Sequence, residues 1–359
     1  MTNLKEKYGF KADQGLEIGL YSLGDLDPNP HTGETISEEQ RINELVEIAV
    51  HAEQAGLDIF ALGESHQRYF ISQAHAVILG AIAQATSKIK LTSGSTIVST
   101  SDPVRIYENF ATLSLLSHGR MELIGGRASR VGLYSLLGYD LRDYEELFEE
   151  KFDLLNLINE KVEAGELVTW SGQYRAPLNN AEILPKPKDN FLKIWRAVGG
   201  PADSAIKAGR AGVPMTLTTL AGPSMAFMPA VQGYRQALSD SGYQADEFPL
   251  TTASPLWLGD TVEEAMREFY PQVFNGFYYA NGSQFPKQQF AQTKHVSDTM
   301  NVGDPSLVID KLLHQHELYG MDRYIAQIDF GGASVDRIKR VIDLLGEKVL
   351  PEVKKYTKS

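Results

Sequence analysis

Glu64, Ser65 and His66 follow an apolar segment at the point where a predicted strand ends. A carboxylate two residues from an imidazole could form a general acid–base pair, provide two metal ligands, or hydrogen-bond a heterocyclic ligand. A structural ion pair or a solvated surface pair would leave the same pattern. Asp58 and His51 lie at the other end of this strand or on the preceding helix, so a metal site lacks a third ligand nearby. We therefore predict no metal site and leave the other interpretations open.

A second group of residues could bind an anion. The alternating segment 119–124 runs into a pair of glycines, and Arg127 follows. Segment 194–198 meets a second pair of glycines, after which a helix begins near 201–204. Backbone N–H groups at such turns and at a helix N-terminus bind phosphate groups, and an arginine adds charge-assisted hydrogen bonds. The pattern predicts a phosphate-binding site, with two ordinary glycine turns as the alternative.

Hydroxyl side chains occur in the third predicted strand, where Ser93, Ser95 and Thr96 could face the same ligand. A threonine-rich strand surface would have the same composition. Ser22 and His75 have no partner that the sequence assigns.

The elements that position these residues alternate regularly between strands and helices. Strands are predicted at 16–23, 57–64, 89–98, 119–124, 193–198, 214–220, 250–258 and 323–330. Helix starts are indicated by capping residues: Ser37 with Gln40 three residues later, Asp102 before Pro103, and Asp304 before Pro305.

This alternation predicts an α/β protein, a (β/α)8 TIM barrel formed by one domain over 1–359. Insertions are predicted after strands 4 and 7, at 170–187 and 271–301, the second as an irregular loop packed over the barrel. The active site of such a barrel lies at the carboxyl ends of its strands. A doubly wound nucleotide-binding fold is disfavoured, because the chain has no Gly-x-Gly pattern and no Gly-Lys pair.

Composition excludes several functional classes. The chain has 359 residues, a formal charge of -12 and no cysteine. The negative charge argues against nucleic acid or an anionic membrane as a partner, and the absence of cysteine removes disulfides and thiolate chemistry. The sequence has no signal-peptide pattern and no apolar run long enough for a membrane span, so we expect a cytoplasmic protein.

The order and spacing of several short motifs resemble the bacterial luciferase-like flavin-dependent monooxygenases. The motifs are Gly-Glu-Ser-His at 63–66, Gly-Arg-Met-Glu-Leu at 119–123, Gly-Gly-Arg-Ala-Ser at 125–129, Trp-Ser-Gly at 170–172, Pro-Lys-Pro at 185–187 and Ala-Val-Gly-Gly at 197–200. The resemblance covers nearly the whole chain. It implies a TIM barrel, commonly a homodimer, that uses reduced FMN or, in one branch, the deazaflavin F420.

The resemblance also implies positions for the cofactor. The family binds the flavin phosphate after strands 4 and 5 and lays the isoalloxazine along strand 3, sometimes beside a non-prolyl cis peptide, which would fall at Ser95–Thr96. The residues implied to bind FMN are Ser95, Thr96, Arg127, Ser129, Val198, Gly199, Gly200 and Ser204.

The family pattern after strand 2 is Glu-His-His, whose first histidine assists the flavin–oxygen chemistry. Ser65 replaces that histidine, and a hydroxyl does not exchange protons near neutral pH as an imidazole does. Glu64 and His66 are therefore the implied catalytic residues. The resemblance implies a monooxygenase that receives reduced FMN from a separate reductase and oxygenates a small, apolar organic substrate. An F420-dependent hydride-transfer oxidoreductase and a non-catalytic flavin-binding protein are the alternatives.

Overall fold

The computed structural model describes residues 3–128 and 132–358 of the chain. At its centre is a ring of eight parallel strands, in which the last strand pairs with the first and closes a barrel. We number these strands β1 to β8: Glu17–Ser22, Ile59–Leu62, Lys90–Ser93, Met121–Gly126, Lys193–Val198, Met215–Thr218, Leu250–Leu258 and Arg323–Gln327. The predicted α/β class and (β/α)8 TIM barrel are confirmed.

Helices cover the outside of the barrel, because each presents an apolar stripe to the strands. The longer ones are Glu38–Gln54, His75–Ala85, Pro103–Leu116, Tyr144–Ala164, Ala202–Arg210, Met228–Asp240, Val262–Asn281, Pro305–Tyr319 and Val335–Leu344; shorter ones are Leu4–Lys7, Gly132–Leu136, Lys287–Phe290 and Leu350–Thr357. The side chains of Ser37, Asp102 and Asp304 each accept a hydrogen bond from a backbone N–H of the first turn. The three helix starts predicted from capping residues are therefore confirmed.

The third strand differs from the prediction of one continuous strand over 89–98. It is divided into β3 and a short continuation, Thr96–Ile97, which pairs with the end of β4. Between them the Gly94–Ser95 peptide bond is cis. The position implied by the resemblance, Ser95–Thr96, is wrong by one bond. Side-chain alternation reports strand character but not the isomer of a peptide bond, so the sequence could not locate it.

Insertions follow β4 and β7, as predicted. The first contains an antiparallel hairpin, in which Val168–Trp170 pairs with Leu178–Ala181. The second ends in a short strand, Asn301–Gly303, which pairs with the end of β7.

The second insertion is not irregular from residue 271, and that part of the prediction is wrong. Helix Val262–Asn281 continues through Pro271. A proline inside a helix removes one backbone hydrogen bond and usually bends or ends the helix. Here Phe269, Val273 and Gly276 are buried on the face that packs against the rest of the protein. Tertiary packing therefore stabilises a helix that local sequence signals disfavour.

A buried ionic network crosses the interior of the barrel near the amino-terminal ends of the strands. Arg323 of β8 donates to Glu122 at 2.7 and 3.1 Å and to Glu17 at 2.8 Å. Trp195 Nε1 also donates to Glu122, at 2.8 Å. Burial opposes the ionisation of Glu122, but the charges of Arg323 and Lys193 prevail and lower its pKa to about 2. The network holds strands β1, β4, β5 and β8 together from the inside.

None of the helices in the described part of the chain combines the length and the apolar composition that a membrane span requires.

Replacing Glu122 by glutamine should lower the free energy of unfolding by about 3–5 kcal/mol at pH 7, because Arg323 then stays buried without its charged partner. The pKa of Glu122 is lowered from 4.5 to about 2, so its contribution is complete above about pH 4.5 and is lost as the pH falls towards 2. Urea denaturation at pH 7 and pH 3 should therefore show a smaller difference between wild type and E122Q at the lower pH.

The matched control is Glu352→Gln, which breaks an exposed pair with Lys355. It should leave the free energy of unfolding almost unchanged. Equal losses in the two variants would contradict a special role for the barrel network.

Candidate active site

Three glycines face the interior at the carboxyl ends of β2, β3 and β4. Ala61 and Ile124, two residues before Gly63 and Gly126, belong to the apolar cluster inside the barrel. Alternation along a strand places these two glycines on the same inner face. A Cβ atom on Gly63 would lie 2.8 Å from the carbonyl carbon of Gly94. Atoms of the neighbouring strands and loops fill the space beside all three glycines, so the strand ends pack closely here, and we call Gly63, Gly94 and Gly126 the glycine floor.

Glu64 lies at the edge of the glycine floor. Its backbone N–H donates to the Ser95 carbonyl at 2.9 Å, and its Oε2 accepts the Ile97 N–H at 2.7 Å. Its Oε1 lies 2.8 Å from His66 Nε2. The side chains of Glu64 and His66 are 7% and 13% exposed. The structure therefore brings the two predicted catalytic residues together, with the carboxylate anchored by backbone and the imidazole oriented by the carboxylate.

A second imidazole approaches the same carboxylate. His75 begins helix His75–Ala85, and its Nδ1 lies 3.8 Å from Glu64 Oε2. Its Nε2 lies 2.8 Å from Thr96 Oγ1. Burial lowers the pKa of His75 and outweighs the opposite effect of the Glu64 charge, so the neutral form is favoured. Sequence analysis left His75 without a partner, because its partners come from other segments and no spacing rule connects them.

Ser95 and Thr96, both predicted to bind the cofactor, have different surroundings. A Cβ atom on Gly126 would lie 2.9 Å from Ser95 Cβ, so the Ser95 side chain lies over the glycine floor. Thr96 is 2% exposed and contacts His75. The Ser95 side chain packs against Gly126, whereas the Thr96 hydroxyl is engaged with His75.

The turns after β4 and β5 lie side by side. Register pairs Gly125 with Arg196, and a Cβ atom on Gly126 would lie 3.2 Å from Ala197 Cβ. The two glycine turns that the sequence singled out therefore stand on neighbouring strands. Ser129, which the resemblance assigned to the first of these turns, lies outside the described residues.

The turn after β5 leads from buried Val198 through exposed Gly199 and Gly200 to helix Ala202–Arg210. A Cβ atom on Gly200 would have its nearest neighbour among the described residues 4.0 Å away, so the turn is not packed against the described part of the chain. The helix begins without a side-chain hydrogen bond from its N-cap residue. The Ser204 hydroxyl is buried and has no hydrogen-bond partner among the residues that the structure describes. Donors of this kind at a helix start are suited to an anion.

Arg127 follows the turn after β4. Its guanidinium carbon lies 5.4 Å from the ring centroids of both Tyr144 and Phe148. The pKa of the Glu145 carboxyl is lowered mainly by a hydrogen bond from Lys207 on the helix after β5, and to a lesser extent by Arg127. Arg127 and Lys207 therefore both act on the Glu145 carboxylate, which places the cation on the same side of the barrel as the helix after β5.

The long helix after β7 covers the other side of the barrel mouth. Asn275 Nδ2 donates to the carbonyls of Pro28 at 2.7 Å and Gly331 at 3.0 Å, in the loops after β1 and β8. Near the end of the helix, the Tyr279 ring packs edge-to-face on Tyr69 in the loop after β2, with ring centroids 4.6 Å apart. We call this element the roof helix, since it spans three loops at the mouth.

Within residues 3–128 and 132–358, no group of three or more His, Asp or Glu side chains has a geometry that could hold a metal ion. The Glu64 and His66 pair has no third acidic or imidazole ligand suitably placed in that part of the chain.

Comparison with known proteins agrees with this geometry. The family model for luciferase-like monooxygenases matches residues 16–323. The chain belongs to this family. The match spans β1 to the start of β8, and therefore includes the glycine floor, the Glu64 and His66 pair, and both glycine turns.

The relatives include enzymes with different cofactors. The chain is 30% identical over 197 residues to an F420-dependent glucose-6-phosphate dehydrogenase of Amycolatopsis mediterranei, and the aligned segment covers 53% of this chain and 58% of that protein. It is 29% identical over 223 residues to a luciferase-like monooxygenase of Escherichia coli, and the aligned segment covers 62% of this chain and 61% of that protein. The chain thus matches less than two thirds of either relative.

A solved structure shows the same fold over almost the full length. The oxygenating constituent of 3,6-diketocamphane monooxygenase, encoded on the CAM plasmid of Pseudomonas putida and solved with FMN, superposes with a TM-score of 0.75. The superposition covers 94% of this chain and 99% of that chain, at 15% identity. The family is consequently one of flavin- or F420-dependent oxidoreductases on a shared barrel.

The glycine floor can be tested by adding single methyl groups. Gly63→Ala should lower the free energy of unfolding by about 1–3 kcal/mol, since the new Cβ overlaps the backbone of Gly94 and neither strand can move away. Gly200→Ala, in a turn that is not packed against the described part of the chain, should leave the free energy of unfolding unchanged. Chemical denaturation followed by circular dichroism measures both. A Gly63→Ala variant as stable as wild type would show that the strands are not in contact there.

Proposed function

We propose that this chain is an FMN-dependent monooxygenase that uses reduced FMN and O2 to oxygenate a small, apolar organic substrate. The observation that supports it most is the pair of glycine turns on β4 and β5. An uncapped helix start and a buried Ser204 hydroxyl without a partner in the described chain adjoin one turn, and Arg127 follows the other. Backbone donors with one arginine match the charge and size of a phosphate dianion. These residues fit the phosphate of FMN.

We place the ring system of FMN beside the glycine floor, between the phosphate-binding turns and Glu64. The close packing at Gly63, Gly94 and Gly126 fixes the strand ends that would border the ring. Ser95 lies over this floor and could hydrogen-bond the ring. When bound, reduced FMN would supply the electrons that O2 requires, and the protein would supply orientation and a site shielded from water.

His66 is proposed as the residue that accepts or releases protons. Glu64 holds His66 through Nε2 at 2.8 Å, which leaves Nδ1 as the nitrogen that can face a ligand. An imidazole oriented in this way can exchange a proton near neutral pH, whereas the Ser65 hydroxyl cannot. Glu64 acts by orienting the imidazole.

The roof helix supports the proposal of an apolar substrate. The rings of Phe277 on this helix and Phe330 after β8 lie 5.9 Å apart, and Phe285 lies 5.1 Å from Phe277. This aromatic group stands at the mouth opposite the phosphate-binding turns. A helix anchored over the mouth at three loops would exclude water from the reacting groups.

An F420-dependent hydride-transfer oxidoreductase is the second candidate, because curated relatives of the chain have that cofactor. F420 carries an anionic polyglutamyl tail that needs basic groups beyond the phosphate site. The net charge of -12 disfavours such a tail. Titration of the protein with FMN and F420 in parallel decides between the two, and tighter binding of F420 would replace the first proposal with the second.

The proposal also includes a flavin reductase, a small-molecule substrate and a second copy of the chain. The reduced FMN would come from a separate flavin reductase in the cytoplasm, and the substrate is a small molecule. A homodimer is supported by apolar side chains on two adjacent helices: Val77 is 74% exposed, Leu115 45% and Leu116 41%. Exposed apolar side chains of this kind are typical of interfaces.

Replacing Arg127 by alanine should weaken FMN binding by about 10- to 100-fold, which corresponds to the loss of about 1.5–3 kcal/mol for hydrogen bonds to a charged group. Binding of riboflavin, which lacks the phosphate, should change little. Fluorescence titration with both flavins measures the two dissociation constants. Arg142→Ala is the control, since this arginine is 88% exposed and pairs with Asp140. Equal losses for FMN and riboflavin would show that Arg127 does not contact the phosphate.

Replacing His66 by glutamine should separate binding from chemistry. FMN affinity should stay close to that of wild type, while formation of the carboxylic acid from a medium-chain aldehyde, with reduced FMN and O2, should fall by about 100-fold or more, the usual effect of losing a general acid–base group. Ser65→His should not lower this rate. If wild type binds FMN but forms no oxygenated product from any such probe, the non-catalytic alternative is correct.

A further inference from the structure

Glu64 lies between two imidazoles, although the chain has lost the histidine that the family pattern places at position 65. His66 contacts one oxygen of the carboxylate at 2.8 Å. His75 lies 3.8 Å from the other oxygen, on the opposite side. The second imidazole of the site thus comes from the helix after β2 instead of from the residue next to Glu64.

The negative charge near His75 favours one tautomer of its ring. The Glu64 carboxylate faces Nδ1, and a negative charge there favours a proton on Nδ1. Nε2 is then an acceptor, and the Thr96 hydroxyl donates to it at 2.8 Å. His75 therefore fixes the Thr96 side chain, and through the adjacent residue it holds Ser95 over the glycine floor.

The surroundings of His75 contain few other polar groups. The charged or titratable groups that face it are Glu64 and His66, both in the loop after β2. The continuation of β3 contributes the Thr96 hydroxyl, and helix Pro103–Leu116 contributes the Phe110 ring, whose centroid lies 6.1 Å away. His75 is 6% exposed, and burial lowers its pKa.

We propose that His75 is a positioning residue of this site, which sets the orientation of His66 through Glu64 and that of Ser95 through Thr96, so that protonation of His75 weakens the binding of FMN. Only the part that concerns FMN rests on the proposed function. The coupling between His75 and His66 stands on the contacts of the protein alone.

Protonation of His75 changes both of its contacts. The imidazolium donates from both nitrogens, so the Thr96 hydroxyl has to rotate and become an acceptor. The new positive charge also attracts Glu64 Oε2 and competes with His66 for the same carboxylate. Acidification therefore disturbs both Ser95 and His66 through His75, which is itself buried.

The first experiment needs no cofactor. Side-chain ¹H–¹⁵N NMR spectra of the full-length protein are recorded from pH 8 to pH 5, for wild type and for His75→Gln. Interacting groups titrate in coupled steps, so in wild type the His66 signals should show a second inflection that coincides with the titration of His75. Glutamine can hydrogen-bond Thr96 but cannot be protonated, so this inflection should disappear in H75Q. His66 signals with the same titration curve in both proteins would overturn the proposal.

The second experiment measures FMN affinity over the same pH range by fluorescence. Wild type should lose about tenfold more affinity than H75Q once the pH has fallen far enough to protonate His75, since a tenfold change corresponds to a difference of about one pKa unit for His75 between free and bound protein. The phosphate of FMN titrates in this range in every variant, so the comparison between variants isolates His75. His295→Gln, at an exposed histidine, is the control and should follow wild type.

His75→Leu tests positioning separately from charge, because it removes the contact with Thr96 as well. It should bind FMN more weakly than H75Q at every pH, and rescue by glutamine distinguishes positioning from simple packing. Equal affinities of H75L and wild type across the range would overturn the proposal. If H75L does not fold, the comparison of wild type with H75Q still decides whether protonation of His75 weakens the binding of FMN. If no variant binds FMN, the proposed function fails, while the NMR experiment still decides the role of His75.

Discussion

The contact between the backbones of Gly63 and Gly94 is the constraint on which the barrel mouth depends. A side chain at Gly63 would overlap the backbone of Gly94 and separate β2 from β3. The same approach brings the Ser95 carbonyl and the Ile97 N–H within hydrogen-bond distance of Glu64. The carboxylate is consequently held by strand backbone before any side chain contacts it, and His66 and His75 both take their positions from it.

The polar groups at the two ends of the barrel have different surroundings. At the amino-terminal end, Arg323, Glu122 and Glu17 satisfy one another inside the core, and the lowered pKa of Glu122 shows how strongly the ionised form is favoured. At the carboxyl end, the start of helix Ala202–Arg210 lacks a side-chain cap, and the Ser204 hydroxyl has no partner in the described chain. A buried donor left unpaired has a cost in free energy, so the Ser204 hydroxyl beside an uncapped helix start is consistent with a ligand there.

Membership of the luciferase-like monooxygenase family connects the chain to enzymes with two different cofactors, and the barrel alone does not choose between them. The choice depends on local chemistry at the turns after β4 and β5 and on the charge around the mouth. In the pattern that the motifs resemble, position 65 is a histidine, and this chain has Ser65 there. His75 lies near the same carboxylate, on an element that the sequence motifs do not include.

The sequence by itself determined the order of eight strands, the helix starts at Ser37, Asp102 and Asp304, and the two glycine turns, because periodicity and capping are properties of neighbouring residues. From barrel geometry it also placed Glu64 and His66 at the strand ends. Only the tertiary structure decided the pairing of His75 with Glu64 and Thr96, the cis peptide at Gly94–Ser95, and the helix that continues through Pro271. Each of these features depends on contacts between residues that are distant along the chain. Local sequence preferences do not report such contacts, and at Pro271 the contacts outweigh the local preference.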